Sequence, residues 1–296
     1  ATKPSLKVDF EEYVKGQEFG GVEKLTLNNG NQDLSLIKQC MAFKVFRDAG
    51  APASRCNFAH VTVNGKDLGI YSNVESISKR MLKAYFEDTS GKLYEGQLSD
   101  FRTDWVATFE NKDATDMDRT DLDAVIAALG KSDAEVVSAL DSVVDVDAFR
   151  TFWVLENLLA AWDGYTNNLN NFYVYHEPVS GKMHFIPWGP DVSFDAGDAI
   201  RAKDRPQSVS ASAAIPGRLY GLPAQRTEYS KRMNEVLDKS WKEAELVATV
   251  DQSEKLVGPF VPAVAKDAFG TAVQGVRDFI QGRRTIMTAE LSPVPP

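Results

Sequence analysis

Two oxygen-rich turns lie at either end of a pair of predicted strands between residues 162 and 194. Asp163 follows an apolar helix and opens the first turn, which also contains Asn168 and Asn171. Asp191 lies in the second turn, after the partner strand. The strands are rich in aromatic and β-branched residues and meet at a Gly181 corner, so the two turns should lie side by side. Their carboxylate and amide oxygens are ligands that a hard divalent cation prefers.

This layout is typical of the catalytic half of a kinase-type phosphotransferase, in which a catalytic Asp is followed by a metal-binding Asn and Asp. The protein-kinase catalytic loop places its Asn five residues after the Asp, which is the spacing from Asp163 to Asn168. Asp and Asn side chains also stabilise turns by bonding the local backbone. A purely structural role for Asp163, the asparagines and Asp191 is therefore the alternative.

Composition sets the limits on fold and partners. With 296 residues and 43% hydrophobic content, the chain can form one large domain or two modest ones. A net charge of −9 argues against a nucleic-acid surface, because binding to phosphates needs clustered Lys and Arg. No apolar run approaches 18 residues, which predicts that no helix spans a membrane.

The first part of the chain predicts a small β-rich layer. Alternating segments at 6–9 and 22–27 indicate strands, and Asp33 or Ser35 can cap a helix from about residue 36 to 46. A hairpin with an Asn64-Gly65 turn follows. Its exit places Glu75 where a kinase has its hinge, so Glu75 is a candidate adenine contact, with a surface residue at the strand end as the alternative.

We therefore predict an α+β, bilobal, protein-kinase-like fold. Residues 1–76 form the small N-terminal β-rich lobe, and residues 77–296 form the larger, mainly helical C-terminal lobe with both turns. A helix near 148–162 is apolar nearly all round and should be central, and three amphipathic patterns lie between 225 and 291. The segment 195–224 is long enough to be an activation or substrate segment.

Two further features leave alternatives open. Cys40 and Cys56 are too few and too far apart for a zinc site, and they either form one disulfide or remain free thiols. Five aspartates have a spacing close to that of a calcium loop but lack its glycine, and capping of the next helix is the other interpretation. These are Asp113, Asp116, Asp118, Asp121 and Asp123.

Six segments carry a resemblance to a known family: residues 3–10, 47–55, 63–75, 91–95, 162–175 and 185–194. In this order they resemble the CotH kinase family, atypical kinase-like proteins of bacterial spore coats and of secreted or cell-surface bacterial proteins. The segments around residues 163 and 188 are specific, and the others support them. The resemblance runs from about residue 3 to 284, nearly the whole chain.

The resemblance implies roles for single residues. Asp163 matches the catalytic-loop Asp that takes or orients the proton of the acceptor hydroxyl. Asn171 matches a metal-binding Asn and competes with Asn168 for that role. Lys3 matches the start of a segment that could pair with ATP phosphates. The implied cofactors are ATP and Mg²⁺ or Mn²⁺.

Two positions depart from the family. Gly189 stands where the family has the first Asp of its second turn, so that only Asp191 remains. Gln39 stands where the family often has an acidic residue able to pair with the phosphate-binding Lys. Neither Gly nor a neutral amide replaces a carboxylate on a cation.

Three hypotheses follow. The first is a kinase-like enzyme that transfers the γ-phosphoryl of ATP to Ser or Thr of a surface or coat protein, outside the bacterial cell or on its surface or spore. The second is a pseudokinase that serves as a binding or scaffold module, which Gly189 and Gln39 favour. The third is an extracellular structural module that binds Ca²⁺.

Overall fold

The computed structural model of the protein describes residues 3–113, 115–195 and 206–291. Its N-terminal part contains an antiparallel four-stranded sheet with the strand order β1-β2-β4-β3. The turn between β3 and β4 has Asn64 and Gly65 at positive φ, which confirms the predicted hairpin. The strands are β1 (Leu6–Asp9), β2 (Lys24–Asn28), β3 (Cys56–Val63) and β4 (Lys66–Val74).

Helix α1 (Lys38–Asp48) covers one face of this sheet and shares a buried core with it. The helix begins two residues later than predicted, because Leu36 has a left-handed φ of 60°. Asp33 caps it, with Oδ2 accepting a 2.8 Å hydrogen bond from the Lys38 amide. Cys40 on α1 and Cys56 on β3 form a disulfide, so the first of the two alternatives for the cysteines holds.

A second antiparallel sheet, with the order β6-β5-β7-β8, lies in the larger part of the chain. Its β7–β8 hairpin is the predicted pair of strands. The short strands β5 and β6 were not predicted: β6 has only three residues, and the sequence of β5, LeuTyrGluGly, does not alternate between apolar and polar residues. The strands are β5 (Leu93–Gly96), β6 (Phe109–Asn111), β7 (Phe172–Glu177) and β8 (Lys182–Pro187).

Helices make up most of the rest of the described chain. The predicted central helix is α5, and the three amphipathic patterns are α8, α9 and α10. Helix α2 has only four residues. The helices are α2 (Lys79–Leu82), α3 (Thr120–Leu129), α4 (Val136–Asp141), α5 (Val146–Leu158), α6 (Tyr165–Asn168), α7 (Ala214–Tyr220), α8 (Pro223–Lys239), α9 (Glu243–Val257) and α10 (Lys266–Leu291).

An aromatic core supports the first oxygen-rich turn. Phe149 of α5 packs on Phe185 of β8 with ring centroids 4.8 Å apart, and Tyr165 of α6 lies 5.1 Å from Phe185. All three side chains are buried. Because Tyr165 stands two residues after Asp163, this core fixes the turn against both the central helix and the hairpin.

The predicted α+β class and two-part arrangement are confirmed: a small sheet with one helix precedes a larger, mainly helical part. The boundary between residues 76 and 77 stays a prediction, and Phe46 of α1 packs on Phe152 of α5 across it, 5.9 Å between centroids.

Of the predicted 195–224 segment, residues 196–205 lie outside the described residues, and α7 and the start of α8 occupy much of the rest. Within the described ranges, no helix is both long and apolar enough to cross a bilayer.

Candidate functional site

The carboxylate of Asp163 is held by three asparagine side chains from its own turn. Its Oδ1 accepts hydrogen bonds from Asn168 Nδ2 at 2.5 Å and from Asn170 Nδ2 at 3.2 Å. Its Oδ2 accepts one from Asn171 Nδ2 at 2.6 Å. The structure therefore brings together three of the predicted site residues: Asp163, Asn168 and Asn171.

The backbone of the first turn explains how so many polar side chains converge. Helix α6 has only four residues, and Leu169, which follows it directly, has a left-handed φ of 59°. Asn171 also has a positive φ, 53°, a region that Asn tolerates better than most residues. The carbonyl of Asn171 accepts a 3.0 Å hydrogen bond from the Trp188 amide, which joins the first turn to the second.

The hydrogen bonds decide where the asparagine oxygens can act. The Nδ2 atoms of Asn168 and Asn171 donate to the Asp163 carboxylate. The Oδ1 atom of each amide therefore points away from that hydrogen bond and can accept from, or bind, another group. An amide oxygen is a good ligand for a hard cation. The turn thus offers two such oxygens next to one carboxylate.

Asp191 lies on the second turn, in a short 3₁₀ helix (Pro190–Val192) that packs against α1. Burial raises its pKa, and the negative charges of Asp33 and Asp163 raise it further. Among the described residues, no side chain donates a hydrogen bond to this carboxylate or forms an ion pair with it. Asp191 is therefore a desolvated acid that forms no ion pair with another described residue and lies close enough to Asp163 for their charges to repel, although the charge of Lys38 offsets part of this effect. This is the environment of a cation ligand.

Lys3 and Glu75 have protein partners of their own. The Lys3 ammonium donates to the carbonyls of Asn29, at 2.7 Å, and Ile70, and lies 4.2 Å from the centroid of the Tyr71 ring. Burial lowers its pKa. The Glu75 carboxylate binds the Arg55 side chain, with 2.5 Å between Oε1 and Nη2. The structure does not bring either residue into the cluster around Asp163.

The two departures from the family have specific surroundings. Gly189 has a left-handed φ of 53°, and a β-carbon built on it would lie 3.0 Å from Asn171 Oδ1. Gln39 is buried on α1 and accepts a 3.1 Å hydrogen bond from Asn28 Nδ2 on β2. A neutral amide pair therefore joins strand and helix at this point.

Two acidic residues of the site were missed from the sequence. The sequence predicts Asp33 only as a helix cap, yet its charge acts on Asp191, and burial raises its own pKa. Glu156 is buried in α5 and binds the backbone of the first turn. A carboxylate inside a helix that is apolar nearly all round was a signal that could have revealed Glu156, because unpaired Glu is almost never fully buried.

A small cavity separates the two turns. It is lined by Glu156, Asp163, Gly164, Asn171 and Gly189, among others, and its volume is about 10 Å³. This is room for a single water-sized group. The cavity lies beside the position at which Gly189 has no side chain.

Three of the five aspartates between 113 and 123 bind the side chain of Lys92 or Tyr94. Asp116 and Asp118 pair with Lys92, and Asp121 accepts from the Tyr94 hydroxyl at 2.9 Å. Asp118 Oδ1 also accepts from the Thr120 amide at the start of α3. Over residues 3–113, 115–195 and 206–291, no group of three or more His, Cys, Asp or Glu side chains is placed to hold a metal ion.

Comparisons with known proteins agree with the sequence resemblance. The family model described as CotH kinase protein matches residues 1–287. Inner spore coat protein H of Bacillus subtilis is 24% identical over 194 residues, 62% of this chain and 53% of that protein. Invasin CotH3 of Rhizopus delemar is 23% identical over 240 residues, 71% of this chain and 39% of that protein. The chain thus spans about half the length of the spore coat relative and less of the invasin.

A solved structure is similar as well. The crystal structure of the Helicobacter pylori proinflammatory kinase CtkA has a TM-score of 0.48 and 11% identity, and the match covers 98% of this chain and 100% of that one. Because the family model matches almost the whole sequence, membership rests on that match. The chain belongs to the CotH kinase protein family.

Proposed function

We propose that this protein is an atypical kinase-like enzyme that binds ATP with Mg²⁺ or Mn²⁺ and transfers the γ-phosphoryl group to a Ser or Thr hydroxyl of a surface or coat protein. Family membership supports the reaction class. The observation that carries the proposal is the pairing of an amide-held carboxylate, Asp163, with a nearby buried acid, Asp191, that forms no ion pair within the described part of the chain.

The residues present fit a divalent cation. The Asp191 carboxylate and the Oδ1 atoms of Asn168 and Asn171 would hold it, all of them oxygen ligands. A bound cation would neutralise the phosphate oxygens of ATP and remove the repulsion between Asp191 and Asp163.

Asp163 takes the role of base. Its Oδ2 accepts one side-chain hydrogen bond, so a lone pair remains for the acceptor hydroxyl. As the hydroxyl oxygen attacks phosphorus, its proton passes to Asp163 Oδ2, and the bond from the γ-phosphorus to the bridging oxygen breaks with release of ADP. The Asn168 and Asn171 amides keep the carboxylate oriented during this step.

The contacts of ATP with Lys3 and Glu75 are also part of the proposal. A nucleotide would have to compete with Asn29 and Ile70 for Lys3, and with Arg55 for Glu75. The disulfide between Cys40 and Cys56 supports a location outside the cytosol, because such bonds persist in oxidising surroundings. The spore coat relative supports a surface or coat location.

Thermal melting tests the proposal. ATP with Mg²⁺ or Mn²⁺ should raise Tm, because a ligand at 100 times its Kd stabilises the folded state by about 2.7 kcal/mol. Asp191→Ala should abolish the shift with cation, and Asp163→Ala should abolish phosphate transfer to a Ser-rich peptide. Asp104→Ala, at an exposed acid away from both turns, is the matched control and should change neither.

The second candidate is a pseudokinase that serves as a binding or scaffold module. Gly189 and the neutral Asn28–Gln39 pair favour it, because both remove charge from positions where the family has acids. If neither ATP nor either cation changes Tm, and no phosphate is transferred, the pseudokinase function is favoured over the enzyme. A shift with Ca²⁺ alone would favour the calcium-binding module.

A further inference from the structure

Glu156 is a carboxylate inside α5 whose two oxygens both bind the backbone of the first turn. The residue is 3% exposed. Its Oε1 accepts a 2.9 Å hydrogen bond from the Tyr165 amide, and its Oε2 accepts a 2.8 Å bond from the Thr166 amide. These are the first two amides of α6, whose own N-cap residue, Gly164, has no side chain to offer. Glu156 therefore caps α6 from another helix.

Gly164 allows this contact. A β-carbon at residue 164 would lie 2.3 Å from Glu156 Oε1, closer than such atoms come in proteins. The backbone at Gly164 is extended, with φ −84° and ψ −179°, so any residue could adopt it. The glycine is required because the carboxylate lies where a side chain would be.

The cap acts on the residues proposed for catalysis. Asp163 directly precedes Gly164, and Asn168 is the last residue of α6, with its Nδ2 2.5 Å from Asp163 Oδ1. A four-residue helix is far too short to be stable by itself. The position of Asn168 relative to Asp163 therefore depends on what anchors α6.

We propose that Glu156 is a positioning residue of the proposed phosphoryl-transfer site: by binding the Tyr165 and Thr166 amides, it fixes Asp163 and Asn168 in the geometry that a cation and an acceptor hydroxyl require. This inference rests on the proposed function. The carboxylate acts through the backbone and does not itself meet the substrate.

The energetics of burial agree with a functional role. Burial raises the pKa of Glu156 to about 7, although the two amide hydrogen bonds oppose the change. An acid in an aromatic and aliphatic core is unfavourable compared with an apolar residue of similar size. The two hydrogen bonds to the Tyr165 and Thr166 amides, which cap α6, offset part of this unfavourable burial.

Glu156→Gln tests the inference in the full chain at pH 8, above the pKa of about 7, where the Glu156 carboxyl is ionised and both oxygens can accept. The amide offers one acceptor oxygen and turns a donor towards a second backbone donor, so α6 should loosen. We expect the affinity for Mn²⁺, measured by titration calorimetry, to fall at least tenfold, and amide hydrogen exchange of residues 165–168 to become faster. Gly164→Ala should cause the same loss, because it displaces the same carboxylate. In the double variant the losses should be less than additive.

Val154→Ala is the matched control. It truncates a fully buried side chain of the same helix and lowers Tm, but should leave Mn²⁺ affinity unchanged. Wild-type affinity in Glu156→Gln, or an equal loss in Val154→Ala, would overturn the inference. If the wild type itself binds no Mn²⁺, the proposed function fails, and the positioning role of Glu156 is then judged from amide hydrogen exchange alone. Unchanged exchange at residues 165–168 in Glu156→Gln would overturn that role as well.

Discussion

The side chain of Asn171 lies directly against the backbone of Gly189. A β-carbon on Gly189 would be 3.0 Å from Asn171 Oδ1, the atom proposed as a cation ligand. The glycine therefore leaves the Asn171 amide free to donate to Asp163, and it also removes the carboxylate that the family has at this position. One residue thus both favours the present geometry and weakens the charge of the site.

We expect Gly189→Asp to strengthen cation binding. The new carboxylate would stand next to Asn171 and the small cavity between the turns, and a second acid on the cation should raise Mn²⁺ affinity about tenfold or more. The left-handed φ of 53°, which Asp tolerates better than most residues, and the 3.0 Å approach of the new β-carbon to Asn171 Oδ1 should together cost about 1–2 kcal/mol. Titration calorimetry and chemical unfolding measure the two effects.

Gly189→Asn separates charge from size in this experiment. Asn has nearly the shape of Asp and should lower the free energy of unfolding by a similar amount, but it adds no charge. If Asn increases Mn²⁺ affinity as much as Asp does, the missing carboxylate is not what limits the site.

The Asn28–Gln39 pair predicts coupling between strand and helix. Gln39→Glu alone places an unpaired charge at a site that is 3% exposed and should destabilise the fold by about 3 kcal/mol. Asn28→Lys together with Gln39→Glu should recover much of that loss, since an ion pair then replaces the amide pair. A double-mutant cycle from urea unfolding measures the coupling, expected at about 1–3 kcal/mol. Additive losses would show that residues 28 and 39 do not interact.

Strong local patterns allowed much of the fold to be predicted from the sequence. The hairpins at Asn64-Gly65 and Gly181, the central helix and the C-terminal helices each have a clear period or turn signal. Strands β5 and β6 have neither, and β5, the partner of β6, also pairs with β7, which lies more than 60 residues later in the chain. Such pairing is decided by tertiary contacts that a local pattern does not contain.

The residues of the candidate site could be predicted from the sequence where a kinase-type catalytic loop requires a fixed spacing between an Asp and an Asn. Asn168 lies five positions after Asp163, and the resemblance to the family identified Asn171 and Asp191. Glu156 could not be assigned its contact, because its partners lie nine and ten residues away around a turn whose shape was unknown. The position of Lys3 on the Asn29 and Ile70 carbonyls likewise depends on how the sheet folds over it.

The disulfide should stabilise the attachment of α1 to the first sheet. It links residues separated by 16 positions, and closing a loop of this length stabilises a fold by about 3 kcal/mol. We expect reduction, or Cys40→Ser with Cys56→Ser, to lower the free energy of unfolding by that order. Urea unfolding with and without a reductant measures the difference. The double variant is the control, since a reductant should not change its stability. If the reductant does not change the unfolding free energy of the wild type either, no disulfide had formed.

The pKa of Glu156 predicts a pH dependence of stability. Its value of about 7 in the folded protein lies above the ordinary 4.5, so the unfolded chain ionises first as pH rises. The stabilisation from this group is therefore complete below about pH 4.5 and is lost by about pH 7, with a total of about 3 kcal/mol. Urea unfolding at pH 5 and pH 8 with a chelator present should show this loss in the wild type.

Glu156→Gln isolates the contribution of this one acid. Asp33 and Asp191 also have raised pKa values and act in the same direction, while acids such as Asp113 and Glu75, whose pKa values are lowered, act in the opposite one. These contributions are common to both proteins and cancel in the difference between wild type and variant. The difference in unfolding free energy should therefore change by about 2.5 kcal/mol between pH 5 and pH 8, because part of the total loss has already occurred at pH 5. Parallel pH profiles would mean that Glu156 ionises in the fold as easily as in the unfolded chain, and that its burial does not hold it protonated.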